Sequence, residues 1–371
     1  MLLYSCFGET AMSIKKIAEM TGTSASTVSR VLNNPDYKCS DPTMRERIWR
    51  AAMELNYTPN EAARNLKRGI RSQENKHHLI EILITRSDGS HADPFFEEQL
   101  RCVETQIHEN GCILSNIWHQ FIFSDESKCL GPAAETALRQ MAGEKEKGGH
   151  SDSLIIIGKC CTPVLTKLKK IYRHIVAINR NSSEGLVDEV TCDGQKIAAL
   201  AVDHLLSLGH KRIAYVGKCR GESRYRGYCD VLNRSGLDIY PEYIIDNHQT
   251  EREGFLAMQA FFKLDHPPTA IYCANDITAI GVLKCLQEHG NMLYHPSVIA
   301  SDDIEEGQYS KPMLSTVQLP KEAMARFALF LLLDHIRGGH KNCIHVEMEG
   351  RLLLRSSCTR VEEANQLEYY I

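Results

Sequence analysis

Two short helical patterns joined across one glycine constrain this chain more than any other feature. Ser13 reads as an N-cap, and Ile14, Ile17, Ala18 and Met20 follow it at helical spacing. Gly22 breaks that run and permits a sharp turn. Ser24 then caps a second helix over 25–32, with Val28, Val31 and Leu32 on its inner side and Ala25, Ser26, Ser29 and Arg30 on the other. A third helix is expected from Asp41-Pro42 to Leu55, because proline suits the first helical position. Ile48, Ala51, Ala52 and Leu55 on it would close a small core. Two short helices around a glycine-containing turn are the helix-turn-helix arrangement, whose second helix enters the major groove of DNA.

Charge supports that reading. Residues 12–71 hold 11 Lys/Arg against 6 Asp/Glu, a net of +5, and residues 1–11 add −1. The whole chain is −4, so residues 72–371 carry −8. A basic head on an acidic body implies that the head alone meets phosphate. Short side chains at Ala25 and Ser26 suit close approach to bases, and Arg30 has the fork for guanine or a phosphate. After Asn56-Tyr57-Thr58-Pro59, Asn60 is positioned to cap a short helix over 61–66. Alone, that helix is too short to be stable, so it needs DNA or a second protomer to form. The working start is expected at Met12, with residues 1–11 an upstream extension.

These motifs carry a resemblance. Ile-Ala-Glu-x-x-Gly-x-Ser-x-x-Thr-Val-Ser-Arg-Val-Leu-Asn, then Leu-Asn-Tyr-x-Pro-Asn, then Ala-Arg-x-Leu, are similar to the headpiece of the LacI/GalR family of bacterial repressors. The resemblance implies a DNA-binding headpiece at 12–69 with a hinge helix near 60–67. It implies DNA contacts from Ser13, Ser24, Ala25, Ser26, Thr27, Ser29, Arg30 and Asn33, and from Tyr57, Asn60, Ala63, Arg64, Leu66 and Lys67. Leu66 matches the leucine that such proteins wedge between base steps, kinking the duplex and opening its minor groove.

Beyond a polar connector at 70–78, apolar runs alternate with helical stretches. Strands are expected at 79–84, 112–118, 154–158, 175–178, 212–217, 269–273 and 298–301. Helices are expected at 95–109, 194–208, 223–234, 251–263, 276–289 and 321–337. That alternation predicts parallel sheets covered on both faces, and the length calls for two of them. The polar, glycine-rich stretch 124–150 reads as a surface segment. The fold class is therefore a small all-α headpiece plus an α/β core of two parallel doubly wound sheets, which the resemblance implies is two-lobed and periplasmic-binding-protein-like. The core is expected at 77–361, with an N-lobe near 77–178 and 305–320 and a C-lobe near 190–304 and 321–361.

In the core the resemblance rests on Leu205-Leu206-Ser207-Leu208-Gly209-His210-Lys211-Arg212-Ile213, Arg224-Tyr225-Arg226-Gly227-Tyr228, 268–276 and Leu314-Ser315-Thr316-Val317. It implies an effector site formed by Asp93, Phe95, Asn179, Arg224, Asn275 and Asp302. Such ligands sit at the carboxyl ends of parallel strands. Gln249 stands where many relatives place a stacking aromatic, so the apolar wall is expected from Phe95, Phe96 or Trp118. Asp93-Pro94-Phe95-Phe96, Glu104-Thr105-Gln106 and Ile157-Gly158-Lys159 with Thr162-Pro163 are similar to the family type that governs the evolved β-galactosidase operon. This implies a galactoside effector.

No apolar run reaches ~18 residues, so no membrane span is expected. The start lacks a basic n-region, and the 14 Cys are scattered without a C-x-x-C pair, which fits reduced cytoplasmic thiols. No glycine-rich phosphate loop, G-x-S-x-G elbow or metal-ligand spacing is present, so neither an enzyme, a cofactor nor a metal is expected. The expected partners are double-stranded operator DNA, a small saccharide effector and a second copy of the chain in a homodimer. A regulator of the same family with a non-sugar ligand or the opposite sign of coupling, and a periplasmic-type sugar-binding protein, are the alternatives.

Overall fold

The computed structural model describes residues 6–33, 37, 42–55, 78–86, 93–146, 151–179, 183, 185–289 and 294–362. The chain divides into two compact units at Lys76/His77.

The first unit contains α1 (Cys6–Thr21), α2 (Ala25–Asn33) and α3 (Pro42–Glu54). Ile17, Val28 and Ile48, one from each helix, are fully buried and form the centre of its core. Val31, Leu32, Ala51 and Ala52 complete it, and Leu55 packs on its edge. Gly22 turns the chain at φ +64, a conformation with little cost only for glycine. Ser24 Oγ accepts the Thr27 N–H at 3.1 Å and caps α2. Two expectations fail in α1. Ser13 is not its cap, because the helix already runs from Cys6 and a cap needs non-helical backbone. Met20 is 50% exposed, since Ile17 and Ala18 already fill the inward stripe.

The second unit contains two six-stranded sheets, both parallel except at one pairing. The first has the order β11-β5-β4-β3-β1-β2 and the second β12-β10-β9-β8-β6-β7. The first sheet is built from β1 (Leu79–Ile84), β2 (Ile113–His119), β3 (Ser153–Ile157), β4 (His174–Asn179), β5 (Asp188–Thr191) and β11 (His345–Glu347). The second is built from β6 (Ile213–Val216), β7 (Ile244–Ile245), β8 (Ala270–Cys273), β9 (Ser297–Asp302), β10 (Ser315–Gln318) and β12 (Arg351–Leu353). Only β12 runs antiparallel, against β10. The central strands are buried along their length and mostly apolar because helices cover both of their faces. Leu154, Ile155, Ile156 and Ile157 of β3 are all buried, two facing each side.

Three segments differ from the sequence-based expectation. The stretch 124–150 is not a plain surface segment, because Pro132–Glu146 is a helix. Its Ala134, Ala137, Leu138 and Met141 are buried at helical spacing, a stripe outweighed by the polar residues around it. Residues 315–318 form β10 of the second sheet rather than part of the N-lobe, since they pair with β9 along their whole length. The helix Lys321–Ile336 and β11 belong with the first sheet rather than the C-lobe. The chain thus crosses between lobes after β5, after β10 and after β11. The second crossing comes one strand later than the hydrophobic pattern suggests.

Candidate functional site

On the headpiece, Ser24, Ala25, Ser26 and Arg30 are exposed, and Thr27 and Ser29 are half-buried. The hydroxyls of Ser26 and Thr27 lie 2.8 and 2.9 Å from that of Ser24, so the start of α2 presents a cluster of small polar groups. The amides there point out of the helix, as an anion-binding terminus requires. Arg30 lies in the last turn of the same helix. Ser13 falls within α1 and Asn33 ends α2. Tyr57, Asn60, Ala63, Arg64, Leu66 and Lys67 lie outside the described residues.

In the core, a cavity of about 650 Å³, counting its open mouth, lies at the carboxyl ends of both sheets. Its wall is formed by residues that directly follow strands. Arg86 comes two residues after β1, Gly158 and Lys159 follow β3, Asn179 ends β4, Lys218 follows β6 and Leu319 follows β10. Gly158 has φ +105, and a Cβ there would stand 2.6 Å from Thr85 Oγ1. Phe95 and Phe96 supply an apolar wall, meeting edge to face at 5.3 Å. Trp118 does not join them; its indole N–H is spent on Glu81 Oε2 at 2.7 Å.

Arg224 lines the cavity and is 2% exposed. Its Nε donates to Glu222 Oε1 at 2.9 Å and its Nη2 to Glu222 Oε2 at 3.2 Å, a paired fork. Its Nη1 donates to the Ala274 carbonyl beyond β8. Burial opposes the guanidinium charge, but Glu222 more than restores it, so the pKa stands above its ordinary value. Glu222 also caps the helix Ser223–Arg234. Sequence reasoning missed Glu222, although an acid two residues before the arginine that opens the Arg-Tyr-Arg-Gly-Tyr motif was a usable signal.

The structure places the other expected effector residues unevenly. Phe95 and Asn179 line the cavity with Arg224, whereas Asp93, Asn275 and Asp302 are not part of its wall. Asp93 caps the helix Pro94–Glu109 through the Phe95 N–H at 3.1 Å. Asn275 caps the helix Asp276–Glu288, and its Nδ2 donates to the Gln249 carbonyl at 3.2 Å. Asp302 ends β9 and is buried.

Polar contacts join the two lobes across this cleft. Arg86 donates to Gln249 Oε1. Lys159 Nζ reaches the Gly221 carbonyl at 3.4 Å and Glu126 at 3.0 Å. Lys321 pairs with Glu98 and donates to the carbonyls of Asp302 and Asp303 at 3.3 and 3.0 Å. Gln249, Asp302 and Asp303 have φ of 66, 144 and 53, the positive-φ residues other than glycine among those described. Strained backbone is thus concentrated where the lobes meet, as at many switch regions.

Asp276 lies behind the cleft, fully buried. Its Oδ1 accepts from the Thr316 hydroxyl at 2.6 Å and its Oδ2 from the Ile304 N–H at 3.1 Å. Burial, reinforced by the charge of Asp302, raises its pKa from 3.8 to about 7. The folded protein therefore keeps a proton that the unfolded chain has already released. Stability should fall as pH rises from about 4 to about 7 and then level off. In Asp276→Asn that part of the pH dependence is expected to vanish, read as melting temperatures at about pH 5 and about pH 8. Equal slopes in the two proteins would contradict the assignment.

The comparisons agree with this division of the chain. Residues 13–60 match the bacterial regulatory proteins of the lacI family, and residues 202–358 match a periplasmic-binding-protein-like domain. The chain is 29% identical over 357 residues to the HTH-type transcriptional repressor CytR of Escherichia coli (strain K12), covering 94% of this chain and 97% of that one. It is 29% identical to the repressor MelR of Bacillus subtilis (strain 168), covering 93% and 97% of the two chains. A transcriptional regulator CelR–cellobiose complex superposes with a TM-score of 0.64 at 22% identity, covering 93% of this chain and 99% of that one. A LacI family regulator from Enterococcus faecium with bound ribose gives 0.62 at 23% identity, covering 76% and 99%. The chain thus joins a helix-turn-helix unit of the lacI family of bacterial regulatory proteins to a two-lobed, periplasmic-binding-protein-like core, and the relatives it matches over nearly its full length are transcriptional repressors.

Proposed function

We propose that this protein is a cytoplasmic, homodimeric transcriptional repressor of a carbohydrate-utilisation operon, released from its operator by a small saccharide. The observation that carries the reading is the cleft. It joins an aromatic wall to a set of buried polar groups at the carboxyl ends of two parallel sheets. A sugar needs both: an apolar face for its C–H groups and fixed donors and acceptors for its hydroxyls. Gln99 Oε1, on the cavity wall, is buried with no hydrogen-bond partner among the described residues, which suits a polar ligand. The relatives point the same way, being named repressors, and two of the similar structures hold cellobiose and ribose.

Arg224 would orient ligand oxygens, with Asn179 and Gln99 as further polar contacts and Phe95 and Phe96 as the stacking face. A ligand that replaces Arg86–Gln249 and Lys159–Gly221 with its own contacts would shift the balance between lobe arrangements. It can do so only by as much as it prefers one arrangement over the other. In the hinge, Leu66 from two protomers would then lose its seat in the duplex. Two-fold symmetry calls for a palindromic operator.

Within this reading a galactoside is the effector that the sequence motifs favour. One observation favours an acidic saccharide instead. Arg86, Lys159, Lys218 and Arg224 face Glu222 alone on the cavity wall, four cations against one carboxylate. A gel-shift series on an operator selected from random DNA, with neutral galactosides and acidic sugars as the two arms, tests both. Release by either arm is expected and identifies the class. A complex unaffected by every sugar would overturn the saccharide reading.

A further inference from the structure

Away from the cleft, at the start of β5 in the first sheet, three side chains converge. Asp188 begins β5, His335 lies in the last turn of the helix Lys321–Ile336, and His340 follows that helix. Asp188 Oδ2 is 3.1 Å from His335 Nδ1 and 2.9 Å from His340 Nε2, and the three ligand atoms all lie within 4.8 Å of one another. Ligands about 2.0–2.1 Å from a tetrahedral ion stand roughly 3.3 Å apart, so the two separations from Asp188 open by only a few tenths of an ångström, while the two imidazole nitrogens, within 4.8 Å of each other, draw together on the ion.

The outer contacts are those of a metal centre. Asp334 Oδ2 holds His340 Nδ1 at 2.6 Å, leaving Nε2 turned to Asp188. That is the carboxylate–histidine pair that orients ligating imidazoles. The second oxygen of Asp188 is fixed by the Ile344 N–H at 2.8 Å. The rings of His335 and His340 pack at 4.8 Å, and His174 meets His335 edge-on at 4.9 Å. Asp188 is 1% exposed and His340 11%, whereas His335 is 30% exposed and gives solvent access.

We propose that Asp188, His335 and His340 bind one divalent transition-metal ion of the zinc class, with water or an added ligand completing the tetrahedron. Two imidazoles and one carboxylate suit such borderline ions rather than magnesium or calcium. Local spacing could not reveal the site, because Asp188 stands 147 residues from His335 and 152 from His340. The ion would tie the end of the helix Lys321–Ile336 to β5, while the start of that helix carries Lys321 and Met324 at the cleft.

Cobalt titration of the reduced full-length protein tests this. One equivalent should give visible d–d absorption without a thiolate charge-transfer band, and zinc should displace it. His335→Ala and His340→Ala should abolish the signal while their metal-free melts stay cooperative. Asp334→Asn, a change at a half-buried position that spares all three ligands, should weaken binding about 10–100-fold. His345→Ala, beside the site but outside it, should change nothing. No d–d signal, a thiolate band, or an unchanged spectrum in either histidine variant or in Asp334→Asn would overturn the site.

Discussion

Replacing Arg224 with alanine is expected to cost the core about 3–5 kcal/mol and to abolish its response to effector. The guanidinium and Glu222 are 3% and 7% exposed, so removing one partner strands a buried carboxylate. The Ala274 carbonyl loses its donor as well. A second variant separates stability from ligand binding. Arg224→Met with Glu222→Gln removes both charges and keeps an acceptor for the helix cap, and should recover most of the lost stability. It should still not answer the effector. Thermal melts and gel shifts on the two variants decide the matter. Recovery of the response in the double variant would remove Arg224 from the ligand site.

Gly281→Ala should be the most damaging methyl addition among the described residues, at about 3 kcal/mol or more, and Gly281→Val should prevent folding of the core. The helices Glu251–Phe261 and Asp276–Glu288 cross in backbone contact. A Cβ at Gly281 would stand 1.9 Å from the Glu251 carbonyl oxygen, and one at Gly254 would stand 2.0 Å from that of Thr278. Both obstacles are main chain, so no rotamer change relieves them. The helices must separate, opening the core around Ala257, Met258, Val282 and Leu283. For a domain of this size that amounts to a fall of roughly 6–12 °C in melting temperature for the alanine variant. A melting temperature within error of the parent would show that the helices part at little cost.

The legible part of this molecule is the part written in local pattern. Apolar runs such as Leu154–Ile157 and helix stripes such as Val28, Val31 and Leu32 repeat over a few residues. Both lobes of strands and all three headpiece helices could be read from them. Short or mixed-polarity strands could not. Ser315 and Thr316 of β10 are buried but polar, and Asp188-Glu189 opens β5 with two acids. These are placed by pairing rather than by hydropathy, and missing them moved the lobe boundary by one strand. The cleft shows the same division. Phe95, Asn179 and Arg224 were expected on motif grounds and line it, while Arg86, Lys159 and Glu222 owe their places to strand ends and tertiary contact. Asp93 and Asn275 illustrate the converse: each is occupied as a helix cap, a role their sequence positions also permit.

The central claim is that occupancy of the cleft and possession of DNA oppose each other, and coupling of this kind is reciprocal. The direct measurement is saccharide affinity by titration calorimetry, on the free protein and on the protein saturated with operator. The factor by which operator weakens the sugar should equal the factor by which sugar weakens the operator. An identical sugar affinity in both states would contradict the account.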